Sequence, residues 1–520
     1  MKRLHVFIDN SDNKSGQLVD SDSLPLPILY MPVAQSIFHD STQIVKSPLI
    51  LQPETNVILT QFQSYEVMII TMSATDFLSK SRGIKNLLLR IISVLSRFGV
   101  TSGKFARMLR RYSTVMSDLS CVPTFAITAV VLKRHPELVR ELSRQGVEFA
   151  IHGYIHTDYG VLPPEEQAKH FSRAIEVFRG CRVLFTGFRA PFLRITGQTL
   201  QVLGNLGLPY DSSWSVSWDT LDNTKYSAGS WSEYERLLDF YKSKESRDCT
   251  VLPRFHDGIV EIPVSIPDDE ALVERLGVTE GVQISAIWKA ILQSTYDRGE
   301  LFTLQLHPER IFLCETALSG VVRQARLFNP PVWVATLREI AAWWQERNRF
   351  GLEIETEGKG RYRVKVVCSD RATLLLRNCQ ADVPMNRWFD GYQSVTARDF
   401  VLESPGRPVI GIGQDVSPAA VSFLRNEGFI VERGERADNY GIYLSHLERF
   451  SEADEKPLIA KLEQSGVPLL RYWRWPDQAR SALSVTGDID SITLVDFALR
   501  IMENWRQNRR SQMAGLPQVV

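Results

Sequence analysis

From about residue 80 to 350, short apolar runs alternate with amphipathic stretches, and this alternation limits the fold more than any other feature of the chain. Residues 123–128 read as a short apolar strand. Residues 135–145 read as a helix, with Pro136 near its first turn and Gly146 at its end. The next strand is 147–151. A helix over 163–179 opens on Pro163-Pro164, places Phe171, Ala174, Ile175 and Phe178 on one face, and stops at Gly180. A strand-like run at 183–185 and a helix over 199–206 continue the series. Repeated β-α units predict a parallel sheet or barrel whose chemistry gathers at the C-terminal ends of the strands.

The chain has 520 residues, too many for one ordinary domain. We expect five divisions. Residues 1–75 form a β-rich N-terminal region with apolar runs at 57–60 and 67–71. Residues 76–350 form the (β/α) barrel. Residues 351–407 form an antiparallel β region, read from the alternation at 362–367 and 373–376. Residues 408–470 form a small α/β unit, entered through a linker at 404–408. Residues 471–520 supply an apolar strand, 482–486, and a closing helix that complete the barrel. Lys plus Arg equals Asp plus Glu at 60 each, which argues against a nucleic-acid footprint. The apolar stretch near the start is broken at Asp9, too early for a signal peptide. The run 84–100 carries Lys85, Arg90 and Arg97 and reads as amphipathic, so we expect no membrane span and a cytoplasmic protein. The six cysteines are scattered without a CxxC pair, so neither a disulfide framework nor a cysteine metal site is indicated.

Several residues carry candidate chemistry. His152-Gly-Tyr-Ile-His156 follows the strand at 147–151. On one helical turn an i, i+4 pair points both imidazoles the same way and can chelate one metal. Gly187-Phe-Arg189-Ala-Pro191-Phe192 follows another strand, and a buried arginine there can orient a carboxylate. Tyr210-Asp211-Ser212-Ser213-Trp214 joins an acid to aromatic walls suited to a sugar ring. Leu304-Gln-Leu306-His307-Pro308 is an apolar strand ending in a candidate acid or base. Glu261-Ile-Pro-Val-Ser-Ile-Pro-Asp268-Asp269 reads as a strand leading into an exposed acidic loop that contacts substrate.

In this order the pieces resemble the polysaccharide deacetylases, the NodB-homology proteins of carbohydrate esterase family 4. The resemblance covers about residues 105–310 and four of the family's five motifs. It implies a distorted (β/α) barrel that binds one divalent metal, with His152 and His156 as ligands. Arg189 would hold the catalytic base and His307 would be the general acid. Asp211 or Trp214 would position His307 or line the groove with Pro191 and Phe192, although Trp218-Asp219 offers a competing match. The family's first motif should place two aspartates on a strand ahead of 123–128, and the upstream run 68–76 lacks them. Ser484-Val-Thr486-Gly-Asp488-Ile-Asp490 supplies them instead, as an apolar strand ending in Asp-x-Asp that resembles a variant of that motif. Such a pair also suits a metal–nucleotide site, or two solvated acids. The chain holds one unexplained histidine pair and one unexplained acid pair, and the economical expectation is that a circularly permuted barrel brings them together.

Asp490 would then complete the ligand set and Asp488 would be the base. The ligand types suit zinc, and equally cobalt, manganese or nickel. The expected activity is metal-dependent removal of an N-acetyl or related acyl group from a carbohydrate or glycoconjugate. The alternatives are a deformylase or cyclic-amide hydrolase on the same scaffold, and a non-catalytic glycan-binding protein. A nucleotide site at Gly411-Ile-Gly413 is too generic to support.

Overall fold

The computed structural model describes residues 97–256 and 258–513. The expected β-rich region at 1–75 lies outside the described residues, as does most of the run 84–100. The strands that build the main sheet are β1 Thr124–Ile127, β2 Glu148–Ile151, β3 Gly187–Phe188, β4 Tyr210–Asp211, β5 Arg254–His256, β6 Ile259–Glu261, β7 Leu301–Gln305, β8 Val332–Val334 and β9 Ser481–Ile489. Their order is β7-β9-β1-β2-β3-β4-β6-β5, with β8 also paired to β9. The neighbours run parallel except β5 and β6. The hydrogen-bonded path does not return on itself, so the sheet is a curled half-barrel rather than a closed ring.

β9 joins strands from both ends of the β-α series. Its first residues pair with β8, Ala482–Thr486 pair with β7, and Thr486–Ile489 pair with β1. All nine of its residues are buried, as expected of a strand covered on both faces. Helices pack outside it. Tyr112 of α1 (Gly103–Asp118) meets Phe125 edge-on at 5.0 Å, and its hydroxyl donates to the Thr486 carbonyl at 3.4 Å. The helix starting at Pro164 is α2, Pro164–Gly180, and it buries Phe171, Ala174 and Phe178 against the sheet. The strand expected at 183–185 is absent. Those residues form a loop, and the sheet instead takes Gly187–Phe188, whose amides fall in register with β2 and β4.

Residues 351–472 form a second body of small sheets. Gly351–Gly358, Arg361–Val367 and Asp399–Glu403 are antiparallel neighbours, and Leu374–Arg377 pairs with Leu469–Tyr472. Arg407–Ile412 lies in parallel between Val431–Arg433 and Tyr440–Leu444. The linker expected at 404–408 is therefore half strand, and Ser404 is buried. α3 (Leu337–Arg347) bridges the two bodies. Its Leu337 N–H donates to Thr124 Oγ1 at 3.2 Å, at the start of β1. Its Trp344 indole donates to Asn426 Oδ1 at 2.9 Å. The second body thus packs near the strand starts, away from the strand C-termini. No helix among the described residues is long and apolar enough to cross a membrane.

At Gly487 the packing of β9 leaves no room for a side chain. A Cβ there would lie 2.4 Å from the Leu306 carbonyl oxygen and 3.2 Å from the Phe125 ring. Gly487→Ala is expected to destabilise the protein by about 1–3 kcal/mol through overpacking. A thermal melt unchanged from the parent would show that β9 is not held this tightly.

Candidate active site

The C-terminal ends of β2, β3, β7 and β9 converge on one pocket. Its wall includes His152, His156, Phe192, His307, Asp488 and Asp490. The HGYIH segment is not helical. β2 ends at Ile151 and the chain turns through a loop. Gly153 makes that turn at φ 82°, where a Cβ would sit 2.8 Å from the Ile155 carbonyl oxygen and 2.9 Å from the Tyr159 hydroxyl. The two imidazoles converge because of this loop, not because of helical spacing.

His152 Nε2 lies 3.3 Å from Asp490 Oδ1, and His156 Nε2 lies 3.2 Å from Asp490 Oδ2. One ligand atom from each of the three residues falls within 4.8 Å of the others. His152 Nδ1 is 2.9 Å from the Arg189 carbonyl, which can only accept, so Nδ1 carries the proton. In the neutral ring Nε2 then presents a lone pair to Asp490 Oδ1, and that oxygen has no hydrogen-bond partner among the described residues. Two electron-rich atoms facing each other in a buried site call for a cation between them. Burial lowers the His156 pKa to about 4, and the Arg500 charge adds to this, which keeps that ring neutral and able to ligate. Burial by itself would raise the Asp490 pKa, but His156, which is charged only once pH falls below about 4, and Arg500 outweigh it and hold the carboxyl well below its usual range. The donor set of two imidazoles and a carboxylate, with a backbone carbonyl fixing one ring, therefore fits a divalent metal.

Asp488, two residues before Asp490, serves a different set of partners. Arg189 Nη1 reaches its Oδ1 at 3.3 Å, and Gln305 Nε2 donates to its Oδ2 at 3.0 Å. Arg189 is 1% exposed and is itself fixed. Its Nε donates to the Ser212 carbonyl, its Nη2 to Ser212 Oγ, both at 2.9 Å, and its Nη1 to Thr486 Oγ1 at 2.8 Å.

On the facing side, Asp269 Oδ1 lies 2.9 Å from His307 Nδ1 and accepts from the His307 backbone N–H at 3.1 Å. Arg310 donates to Asp269 Oδ2 at 2.7 Å. Burial disfavours the charged imidazole, but the Asp269 carboxylate outweighs it and holds His307 well above the ordinary imidazole range. Burial likewise opposes charge on Asp269, and His307 with Arg310 more than offsets this, so Asp269 stays well below the carboxylate range. The result is a fixed imidazolium that can give up a proton.

Several sequence expectations are corrected here. Asp268 and Asp269 do not form an exposed substrate loop, being 1% and 0% exposed. Asp269 is the partner of His307. Asp268 accepts from the Ala271 N–H at 2.8 Å, and burial, with the neighbouring Asp269 charge, raises its pKa to about 7. Asp211 neither touches His307 nor lines the pocket. It takes the Ser213 hydroxyl at 2.6 Å and the Ser213 N–H at 2.9 Å, and Ser213 Oγ in turn accepts from the Ala190 N–H at 2.8 Å. This clamp shapes the turn whose Ser212 fixes Arg189. Burial raises the Asp211 pKa to about 8, with the Glu261 charge adding to it. Trp214 lies under the Arg254 guanidinium at 4.4 Å, Pro191 is buried, and neither lines the pocket. Phe192 does line the pocket, its ring set edge-on to His156 with the ring centres 4.5 Å apart. Sequence reasoning missed Gln305 and Arg500. Arg500, on α4 (Leu494–Met513), donates to Asp490 Oδ2 at 3.0 Å. Gln305 is the last residue of β7, two before His307, and that spacing could have signalled it.

A sequence profile of the polysaccharide deacetylase family matches residues 104–210. The peptidoglycan deacetylase-like protein FGM2 of Gibberella zeae is 27% identical over 240 residues, spanning 42% of this chain and 69% of that relative. Over residues 104–210 the chain is thus similar to the polysaccharide deacetylase family. Among solved structures, a Mycobacterium smegmatis protein assigned to the polysaccharide deacetylases aligns at 19% identity and TM-score 0.37, over 52% of this chain and 85% of its own. A family 4 carbohydrate esterase from Streptomyces lividans, in complex with acetate, aligns at 18% identity and TM-score 0.20, over 27% and 66%.

The Asp269–His307 pair sets a pH window with a sign at each end. Asp269 has a lowered pKa, so its contribution to stability is present above about 4 and is lost as pH falls through the lowered value. His307 has a raised pKa, so its contribution is full below about 6.5 and is lost as pH rises through the raised value. With Asp269→Asn, burial prevails and the imidazolium is lost at lower pH. The alkaline limb of any His307-dependent kcat/KM profile should move down by about one pH unit or more. An unmoved limb would detach Asp269 from His307.

Proposed function

We propose that this protein is a metal-dependent amidohydrolase that removes an acetyl or related acyl group from an amino sugar in a carbohydrate or glycoconjugate. The observation that carries the proposal is the orphaned Asp490 Oδ1 facing the His152 imidazole, with His156 against the other carboxylate oxygen and Asp488 held apart on Arg189 in the same pocket. His152, His156 and Asp490 would hold the metal. When bound, such an ion polarises the acyl oxygen and makes a water acidic at neutral pH.

The chain's own groups divide the proton work. Asp488, fixed by Arg189 and Gln305, takes the proton of the attacking water. His307, kept protonated by Asp269, donates to the leaving nitrogen, without which an amide would have to expel a very poor leaving group. Phe192, Phe240 and Tyr241 line the pocket and limit its water. In this reading β9 supplies the family's first motif from the far end of the sequence, a circular permutation of the usual motif order. Its position between β7 and β1 supports that arrangement. Zinc, cobalt, manganese and nickel all suit the donor set.

Acetate release from N-acetylglucosamine oligomers, with N-formyl analogues beside them, tests the activity and the acyl preference. Hydrolysis should stop with a chelator and return with a divalent metal. A metal-loaded protein that cleaves no N-acyl sugar would refute the reading. Two variants separate the acids. Asp490→Ala should lose stoichiometric metal, measured by elemental analysis after dialysis. Asp488→Asn should keep it while kcat falls about 10²–10⁴-fold. Equal metal loss in both would remove the distinction.

A further inference from the structure

A second cleft, of about 930 Å³, shares no lining residue with the catalytic pocket. Its walls come from strand β5, the end of α3, the helix Pro418–Asn426 and the strand Val431–Arg433. The half-buried rings of Phe255, Phe350 and Phe450 face it from three directions in sequence. Such a lining, apolar rings with a few charged groups, is that of a ligand site.

Its charge is unbalanced. Two acids in the wall are already paired. Glu455 takes Arg254 at 2.9 Å, and Glu452 takes Lys244 at 3.0 Å. The guanidiniums of Arg425 and Arg433 are exposed on the same wall and enter no ion pair among the described residues. Arg347 is the decisive group. It is 8% exposed, yet no carboxylate among the described residues pairs with it. Its Nε and Nη1 donate to the Trp473 and Asn426 carbonyls at 3.3 and 2.8 Å, and its Nη2 has no partner. The nearby Glu427 gives its Oε2 to Arg471 and Arg474, and its Oε1, though without a partner, makes no ion pair with Arg347. Burial, together with those two arginines, lowers the Arg347 pKa to about 9 against the pull of Glu427. A buried cation without its own anion is costly, and a bound anion would remove that cost.

We propose that this cleft is a binding site for an acidic oligosaccharide, with a ring carboxylate at Arg347, further carboxylates at Arg425 and Arg433, and sugar faces against the phenylalanines. The anionic group follows from the arginines. The saccharide class rests on the deacetylase reading of the first site. Through such a site the protein would hold a length of polymer at one place while the catalytic pocket works on an acyl group elsewhere.

Calorimetry on the full chain tests this with three probes: tetragalacturonate, the neutral tetramer of N-acetylglucosamine, and inorganic phosphate. Tetragalacturonate should bind saturably and at least about ten-fold more tightly than either of the others. The double variant Arg425→Glu/Arg433→Glu, on exposed positions, should weaken it by about ten-fold or more. His152→Ala/His156→Ala should leave it unchanged, so the result does not depend on catalysis. Arg347→Gln should abolish binding with its melting temperature retained. If that variant does not fold, the exposed pair carries the test. Absence of binding, equal binding of phosphate, indifference to Arg425→Glu/Arg433→Glu, or loss in the histidine variant would each overturn the proposal.

Discussion

The hydrogen bonds that β9 makes on both sides are the constraint from which the rest of the molecule follows. β7 carries His307 just beyond its end, and β1 leads into the β-α series that carries His152, His156 and Arg189. Neither group is complete without the strand between them. Because β9 is buried along its whole length, its register is set by packing on both faces and by two parallel neighbours. A slip of one residue would turn the acids away from the pocket. The same pairing that stabilises the sheet therefore also places the carboxylates.

In the pocket and just behind it, three acids of one chemical type acquire three different characters from their surroundings. Asp490 faces imidazole nitrogens and a guanidinium. Asp488 faces Arg189 and an amide. Asp269 is fully buried and holds an imidazolium and a third guanidinium. None of the three lies on the same element as its main positive partner, except that Arg500 follows Asp490 on the next helix. Charge is thus distributed by topology, and the site depends on the whole sheet being assembled.

Much of this was legible in the sequence, and the failures have physical causes. The β-α alternation and the strand ends were readable because parallel strands are continuous apolar runs. Asp488 and Asp490 were readable as a pair because strand alternation sends residues two apart to one side. The histidine pair was found through a wrong local structure, since spacing cannot distinguish a helical turn from a loop that Gly153 bends. Asp268-Asp269 read as a solvated loop because adjacent acids usually are. Only the three-dimensional approach of Arg310 and His307 offsets the burial of charge on Asp269, while Asp268 is held by the Ala271 N–H. Asp211 read as a groove residue because its role, bracing a turn through Ser213, uses short-range bonds that a composition of acid, serines and tryptophan does not announce.

The late position of β9 in the sequence also bears on how the molecule comes into being. A ribosome delivers β1 and β7 long before residues 481–489 emerge. Until then both strands present an unpaired edge, which is an open template for pairing with other chains. Contacts this distant in sequence are slow to form, because the intervening chain must be closed first. The nascent protein therefore passes through a stage in which its aggregation hazard and its missing acids have the same origin, and a chaperone that shields those edges would act before any catalytic centre exists.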